Sequence, residues 1–261
     1  ANINQAYLQY QGFGGLLVRA GRQEINLDDQ RFVGAVGFRQ TPQTFDALSL
    51  QENPSSSLGV YAAYIWRIKN ILNENVPSKT FLGEVHWQPS PLFHAQAFGY
   101  WYGNQANSAI PGAAGCFLTG NAQVCNSQTL GVRLQGSIPI SASLQIPYDA
   151  SYAKQLPYDG GSPLVDAQYY HLGSGVRWSG LGVLADYMVM GSNDKGSYGF
   201  QTPLATKHAF NGWAEVFLTT PPQGLRSLYF TVEGKLLGTA LQATYYDFRS
   251  AYHSEAYGHE I

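Results

Sequence analysis

Apolar and polar residues alternate with period two through much of the chain. The clearest segment reads FLGEVHW from Phe81 to Trp87, in which Val85 lies between two polar residues. Similar alternation predicts strands over residues 3–11, 16–23, 58–66, 130–135, 181–189 and 228–233. Strict alternation that is repeated many times, with no helical periodicity between the repeats, is typical of an antiparallel β protein. The pattern therefore predicts an all-β fold.

The lengths of the strands and of their connections narrow this prediction. The alternating segments run for about 10 to 14 residues, which suits tilted strands that cross a bilayer better than the shorter strands of soluble sheets. The predicted short connections are residues 11–15, 52–56, 88–91, 137–140 and 179–180. The predicted long ones are residues 24–43, 67–77, 104–126, 155–163 and those from 191 onward. Short periplasmic turns opposite long external loops indicate a transmembrane antiparallel β-barrel, here with about 12 strands plus a fragment.

One segment tests the alternation of short and long connections. NGWAEVFL, residues 211–218, has the pattern of a strand, but counting it as one would place the next long loop on the wrong side. We therefore predict that residues 191–224 form one external loop, which folds toward the pore as residues 24–43 do. The first strand runs toward a short turn, and SEAYGHEI at 254–261 has the pattern of a strand that is only beginning, so we expect residues 1–261 to be a single barrel domain that is incomplete at both ends.

Composition agrees with a membrane-embedded barrel. Only 12% of residues are charged, 14% are aromatic and the net charge is −2, so the basic stripe expected of a nucleic-acid-binding protein is missing. No run of about 18 apolar residues predicts a transmembrane helix. Tryptophans fall near predicted strand ends, where aromatic girdles meet the two membrane surfaces: Trp66, Trp87, Trp101 and Trp178.

Alternation also assigns charged and polar residues to the inner face, since a charge facing lipid at mid-membrane costs about 2 to 4 kcal/mol. These residues are Arg19, Glu84, His86, His94, Arg133, Asp149, His171, Arg177, Asp186, Glu233 and Lys235. Mixed signs fit interstrand ion pairs that brace the wall. They also fit a selectivity path, in which Arg19, Arg133 and Arg177, with Arg22, Arg31 and Arg39 of the following loop, attract an anionic solute through planar guanidinium groups.

Two stretches carry a family resemblance. GRQ at 21–23, NLDDQRFVG at 26–34 and TFDA at 44–47, with GWAE, FLTTP and GLRSLY further on, resemble the alginate-export family of bacterial outer-membrane porins. The resemblance implies a monomeric barrel of about 18 strands in the outer membrane of a Gram-negative bacterium, with an arginine-rich lumen that passes anionic polysaccharide. Matched residue by residue, the motifs assign Arg22, Arg31, Arg39 and Asp46 to the pore-lining set, and they also match Asp28 and Asp29. Phe32, Trp213 and Glu215 are the predicted constriction residues in the infolded loops.

The predicted function is passive passage of a hydrophilic, anionic solute, either a uronate polysaccharide or a small carboxylate. The alternative is a plugged or sheath-like barrel that serves as a structural partner in an outer-membrane complex. No enzyme is predicted, because the six histidines show no pairing with a serine and a carboxylate on one patch. No cofactor or metal is predicted either, since adjacent acidic residues such as Asp28 and Asp29 are more often solvated than Ca²⁺-bound.

Two cysteines, Cys116 and Cys125, lie in one glycine- and asparagine-rich segment. Their spacing fits a disulfide-closed loop in an oxidising compartment, while two free thiols remain the alternative.

Overall fold

The computed structural model describes residues 3–106 and 122–261, which form one antiparallel sheet of 13 strands paired in chain order. The strands are β1 Ala6–Gln11, β2 Leu17–Gln23, β3 Thr44–Ser55, β4 Leu58–Lys69, β5 Asn75–Ser90, β6 Phe93–Tyr102, β7 Ser127–Pro139, β8 Leu144–Pro157, β9 Ala167–Trp178, β10 Leu181–Met190, β11 Leu225–Leu236, β12 Thr239–Arg249 and β13 Ala256–Glu260. Two short 3-10 helices, Phe13–Gly15 and Ala122–Cys125, are the only helical elements in this part of the chain. No helix among these residues has the length and apolarity needed to cross a membrane.

The connections alternate between two ends of the sheet. At the short-turn end lie residues 12–16, 56–57, 91–92, 140–143, 179–180 and 237–238. At the long-loop end lie residues 24–43, 70–74, 103–106, 122–126, 158–166, 191–224 and 250–255. The long connection expected at 67–77 is wrong. Arg67 pairs with Pro77, β4 continues to residue 69 and β5 begins at residue 75, so the connection is residues 70–74.

The two faces of the sheet differ in polarity. The outer face carries large apolar side chains that are exposed, among them Phe81, Val85, Leu130, Val183 and Phe230. Their neighbours along each strand point the other way and include buried polar groups such as Glu84 and Gln96. An apolar band of this extent is stable only against an apolar environment, so the outer face is the one that lipid covers.

The buried core lies on the inner face at the long-loop end. Residues 24–43 and 191–224 pack there as one layer, with Val33 and Leu204 joined in an isolated β-bridge. Gly34 N donates to Leu204 O at 2.8 Å. A Cβ at Gly34 would come within 2.5 Å of Thr206 Oγ1, so only glycine permits this approach. Between Met190 and Leu225 the structure contains no strand, and Asn211–Leu218 runs through turns.

The cysteine prediction is only partly within the described residues. Cys125 is buried and disulfide-bonded, whereas Cys116 lies outside the described residues.

Candidate functional site

Arg133 connects the wall of the sheet to the loop between β2 and β3. It lies on the inner face of β7, and its Nε is 3.1 Å from both carboxylate oxygens of Asp149 on β8. Its Nη1 contacts Asp28 and lies 2.7 Å from Asp29 Oδ2, both in the loop. Only 12% of the Arg133 side chain is exposed. Burial raises the pKa of Asp29, and the positive charge of Arg133 opposes that rise.

The same network continues across three more strands through His171 on β9. His171 Nε2 lies 2.9 Å from Asp186 Oδ1, and its Nδ1 lies 3.7 Å from Asp149 Oδ1. Tyr229 Oη is 3.3 Å from His171 Nε2. The predicted selectivity residue Asp186 therefore pairs with a histidine and not with an arginine. Alternation placed His171 on this face, but it gave no signal that His171 joins two carboxylates.

Glu84 forms a second buried group on β5. It is 3% exposed and accepts hydrogen bonds from Gln96 Nε2 at 3.0 Å and from the Tyr100 hydroxyl. His86 Nε2 lies 2.8 Å from Glu84 Oε2, and His86 Nδ1 lies 3.3 Å from His94 Nε2. With these partners the Glu84 carboxylate is satisfied within the wall, which suits a bracing role.

The inner face near the short-turn end has a different charge balance. Arg177 Nε pairs with Glu233 Oε1 at 2.7 Å, and these side chains are 45% and 33% exposed. Arg19 Nε donates to Gln9 Oε1 at 2.8 Å. Among the described residues, neither Arg19 nor Lys235 has a carboxylate within 4.0 Å. The accessible charge in this half of the inner wall is therefore positive.

Arg31 is a buried cation between the loops and the wall. It is 3% exposed, and its Nη1 donates to Asn211 Oδ1 at 2.8 Å. Its Nη2 lies 3.0 and 2.9 Å from the sulfurs of Met188 and Met190, and its guanidinium lies 5.4 Å from the Tyr169 ring centroid. Within the described part of the chain no carboxylate pairs with it. Burial, together with the charge of Arg31, lowers the pKa of nearby Lys207 to about 8.

Replacing Arg31 should separate the effect of its charge from that of its volume. We expect Arg31→Met to keep the free energy of unfolding within about 1 kcal/mol of wild type, because a similar volume is kept and a buried charge is removed. Arg31→Ala should lower it by about 2 to 4 kcal/mol through the cavity it leaves. Urea unfolding in detergent micelles, followed by tryptophan fluorescence, measures both. Equal losses in the two variants would show that the guanidinium's polar contacts carry the stability.

Phe32 is part of an aromatic cluster. Its ring centroid lies 4.8 Å from Phe98, 5.3 Å from Tyr169, 6.1 Å from Tyr100 and 6.2 Å from Phe200. These rings belong to both the wall and the loop between β10 and β11. Phe32 thus anchors one loop against the other and against the sheet.

The other two predicted constriction residues, Trp213 and Glu215, lie in the loop between β10 and β11. Glu215 pairs with Arg39 and lies 3.2 Å from His208 Nδ1, so it joins the two long loops. His208 stacks on Phe38 with ring centroids 4.2 Å apart. Trp213 is 65% exposed, and its backbone N donates to Glu260 Oε1 at 2.5 Å.

Arg22 and Asp46 correct the predicted pore-lining set. Asp46 Oδ1 lies 2.7 Å from Arg22 Nε, and Asp46 Oδ2 lies 3.3 Å from Arg67 Nη1. In the β2–β3 pairing Arg22 is opposite Asp46. Ala20 lies two residues before Arg22, on the same face of β2, and is opposite Leu48, which is exposed. Both residues therefore lie on the outer face, opposite to Arg19, and their assignment to the pore is wrong.

Comparison with known proteins gives both a family and a fold. The family described as alginate export matches residues 1–183. No curated protein matches the chain significantly.

Three Pseudomonas aeruginosa crystal structures are similar to the chain. OpdL is 15% identical with a TM-score of 0.64, and the match covers 94% of this chain and 64% of OpdL. OccK10 (OpdN) is 13% identical with a TM-score of 0.67, and the match covers 91% of this chain and 64% of OccK10. OpdO is 12% identical with a TM-score of 0.68, and the match covers 93% of this chain and 63% of OpdO. The chain thus spans less than two thirds of the length of these structures.

These similarities establish the fold as that of an outer-membrane β-barrel porin, with the apolar outer face toward lipid. The matching family and structures are channels of the Gram-negative outer membrane and not enzymes.

Proposed function

Since the chain belongs to the alginate export family, we propose that it forms part of a channel for an anionic hydrophilic solute, namely a uronate oligosaccharide or a small carboxylate. The observation that carries the proposal is the positive charge on the inner wall at the short-turn end. There, Arg19 and Lys235 have no carboxylate partner among the described residues. Arg177 pairs with the carboxylate of Glu233. A carboxylate-bearing solute that enters from this end meets accessible cations first.

Apart from Glu233, the acidic residues of the inner wall lie farther from the short turns than these cations do. Asp149, Asp28 and Asp29 all contact Arg133, and Asp186 contacts His171. Glu84 is almost fully buried and is engaged by its own neighbours. Because three carboxylates share the single positive charge of Arg133, the middle of the wall keeps a negative balance, and the accessible positive charge is confined to the short-turn end. Guanidinium groups pair carboxylates through two parallel hydrogen bonds, which favours uronates over neutral sugars.

The two long loops complete the proposed channel. Residues 24–43 and 191–224 would narrow the passage at the long-loop end, where Phe32 fixes one loop against the other. The contact of Arg133 with Asp28 and Asp29 supports this arrangement, because it holds the first loop against the wall about midway along the strands. We propose that this channel works as a monomer.

A second candidate function is an occluded barrel that serves as a structural partner. The observation in its favour is the buried core at the long-loop end, where Val33, Phe200 and Leu204 pack against the wall. Such packing is stable and leaves little room for a wide passage at that end.

Single-channel recordings of the full-length protein in a planar bilayer test the proposal. Oligouronates should block the current at submillimolar concentration, while a neutral oligosaccharide of the same length should need at least about tenfold more. At equal sodium concentration, sodium acetate should give a larger current than the sodium salt of a large anion. Equal block by the neutral sugar would contradict the proposed selectivity. A silent barrel would favour the occluded alternative.

A further inference from the structure

We propose that the outer face at the long-loop end binds the phosphate groups of outer-leaflet lipid. Two separate clusters, near opposite ends of the sheet, each form a binding surface. The Arg22 cluster consists of Arg22, Arg67 and Asp46, and the Arg226 cluster consists of Arg226, Arg249 and Asp247. Each places two arginines and one aspartate on neighbouring strands of a face that lipid covers. The inference depends on the barrel fold and its orientation of faces, and not on which solute passes through it.

The Arg22 cluster joins three neighbouring strands. Asp46 on β3 lies between Arg22 on β2 and Arg67 on β4, at 2.7 and 3.3 Å. The side chains of Arg22 and Arg67 remain 22% and 48% exposed, while that of Asp46 is 11% exposed. The carboxylate is thus enclosed, whereas Arg67 is about half exposed and uses one nitrogen on Asp46, which leaves N–H groups for a further acceptor.

The Arg226 cluster brings two like charges together across a strand pair. Arg226 on β11 and Arg249 on β12 are direct partners in the antiparallel register. Arg249 Nε pairs with Asp247 Oδ2 at 2.9 Å, whereas Arg226 has no carboxylate within 4.0 Å among the described residues. Like charges directly opposite each other destabilise a sheet, unless an anion lies between them. A phosphate group would supply that anion with three acceptor oxygens.

Both clusters lie at the border of the apolar band. Trp66, which precedes Arg67, is 40% exposed, and Leu228, two residues beyond Arg226 toward the membrane, is 38% exposed. Tyr245 is 40% exposed and lies two residues before Asp247. Aromatic residues beside basic residues mark the level of the lipid head groups, and acyl chains would cover the band next to them.

The opposite border of the band lacks this feature. On the outer face near the short turns the exposed side chains include Trp87, Trp178, Leu181 and Leu236. In the described strands the one outer-face residue at that end with a charged side chain is Glu52, which is acidic. A generally basic surface would show arginines at both borders. Their restriction to the long-loop border matches the phosphate-rich glycolipid of the outer leaflet.

Binding of lipid A to the purified full-length protein in detergent tests this proposal. The probes are bis-phosphorylated lipid A and the same lipid without its phosphates, with affinities read by native mass spectrometry. Arg22→Gln with Arg67→Gln, and Arg226→Gln with Arg249→Gln, should each weaken binding of the phosphorylated lipid about tenfold or more. The matched control, Arg19→Gln with Lys235→Gln, removes the same charge from the inner face and should bind as wild type does. Arginine-to-lysine versions of both clusters keep the charge and should retain most of the affinity.

Three results would overturn the proposal. The outer-face glutamine variants could bind the phosphorylated lipid as tightly as wild type, or the dephosphorylated lipid could bind equally well. Inorganic phosphate could compete at concentrations similar to that of the lipid, which would indicate a site for the free anion. Heat-modifiable migration in gels confirms that each variant is folded, so that a loss of binding is not a loss of the barrel.

Discussion

Replacing Arg133 with glutamine is expected to lower the free energy of unfolding by about 3 kcal/mol and to detach residues 24–43 from the wall. The reason is that the guanidinium of Arg133 contacts three carboxylates, those of Asp28, Asp29 and Asp149. Only 12% of the Arg133 side chain is exposed. Removing one partner of a largely buried ion pair leaves the other charge uncompensated, which costs about 3 to 5 kcal/mol. Urea unfolding in detergent micelles measures the loss, and larger current fluctuations in single-channel records would report the freed loop.

Arg177→Gln is the matched control for this experiment. Arg177 is also an inner-face arginine paired with a carboxylate, but its side chain is 45% exposed. Exposed pairs contribute about 1 kcal/mol or less, so this variant should remain close to wild type. Adding Asp28→Asn and Asp29→Asn to Arg133→Gln should restore part of the stability, because the uncompensated charges are then removed. Similar losses for Arg133→Gln and Arg177→Gln would contradict the role assigned to Arg133.

The double variant Arg19→Glu with Lys235→Glu is expected to turn the proposed anion preference of the channel into a cation preference. Both residues lack a carboxylate partner among the described residues and lie in the short-turn half of the inner face. Charge reversal there changes the sign of the potential that an entering solute meets. The reversal potential in a potassium chloride gradient should change sign, and block by oligouronates should weaken at least about tenfold.

Lys79→Glu provides the control for charge reversal by itself. Lys79 is exposed and lies two residues before Phe81 on the outer face of β5, so it does not meet the solute. Lys235→Glu should shift the reversal potential and Lys79→Glu should not. Equal shifts would mean that the effect comes from the net charge of the protein and not from the inner wall.

The sequence by itself determined the all-β fold and the faces of the most strictly alternating strands. Alternation around Val85 placed Trp87 on the outside and Glu84 and His86 on the inside, and the pairing of β4, β5 and β6 agrees. This succeeds because the side-chain period of a strand is two, so a local pattern fixes the face once one residue is known. The same rule would have placed Arg22 opposite Arg19, three positions away; the error arose from assigning Arg22 by its motif.

The tertiary structure alone decided which groups meet across the lumen. Arg133 contacts Asp28, which is 105 residues away in sequence, and Arg31 contacts Asn211, which is 180 residues away. Alternation is local and contains no information about which loop residue reaches which wall residue. That choice depends on how residues 24–43 and 191–224 pack into one layer, where burial and charge pairing over long sequence separations select the partners. The same packing enclosed Arg31 without a carboxylate partner among the described residues and left Arg19 accessible, a difference that two arginines in a sequence cannot reveal.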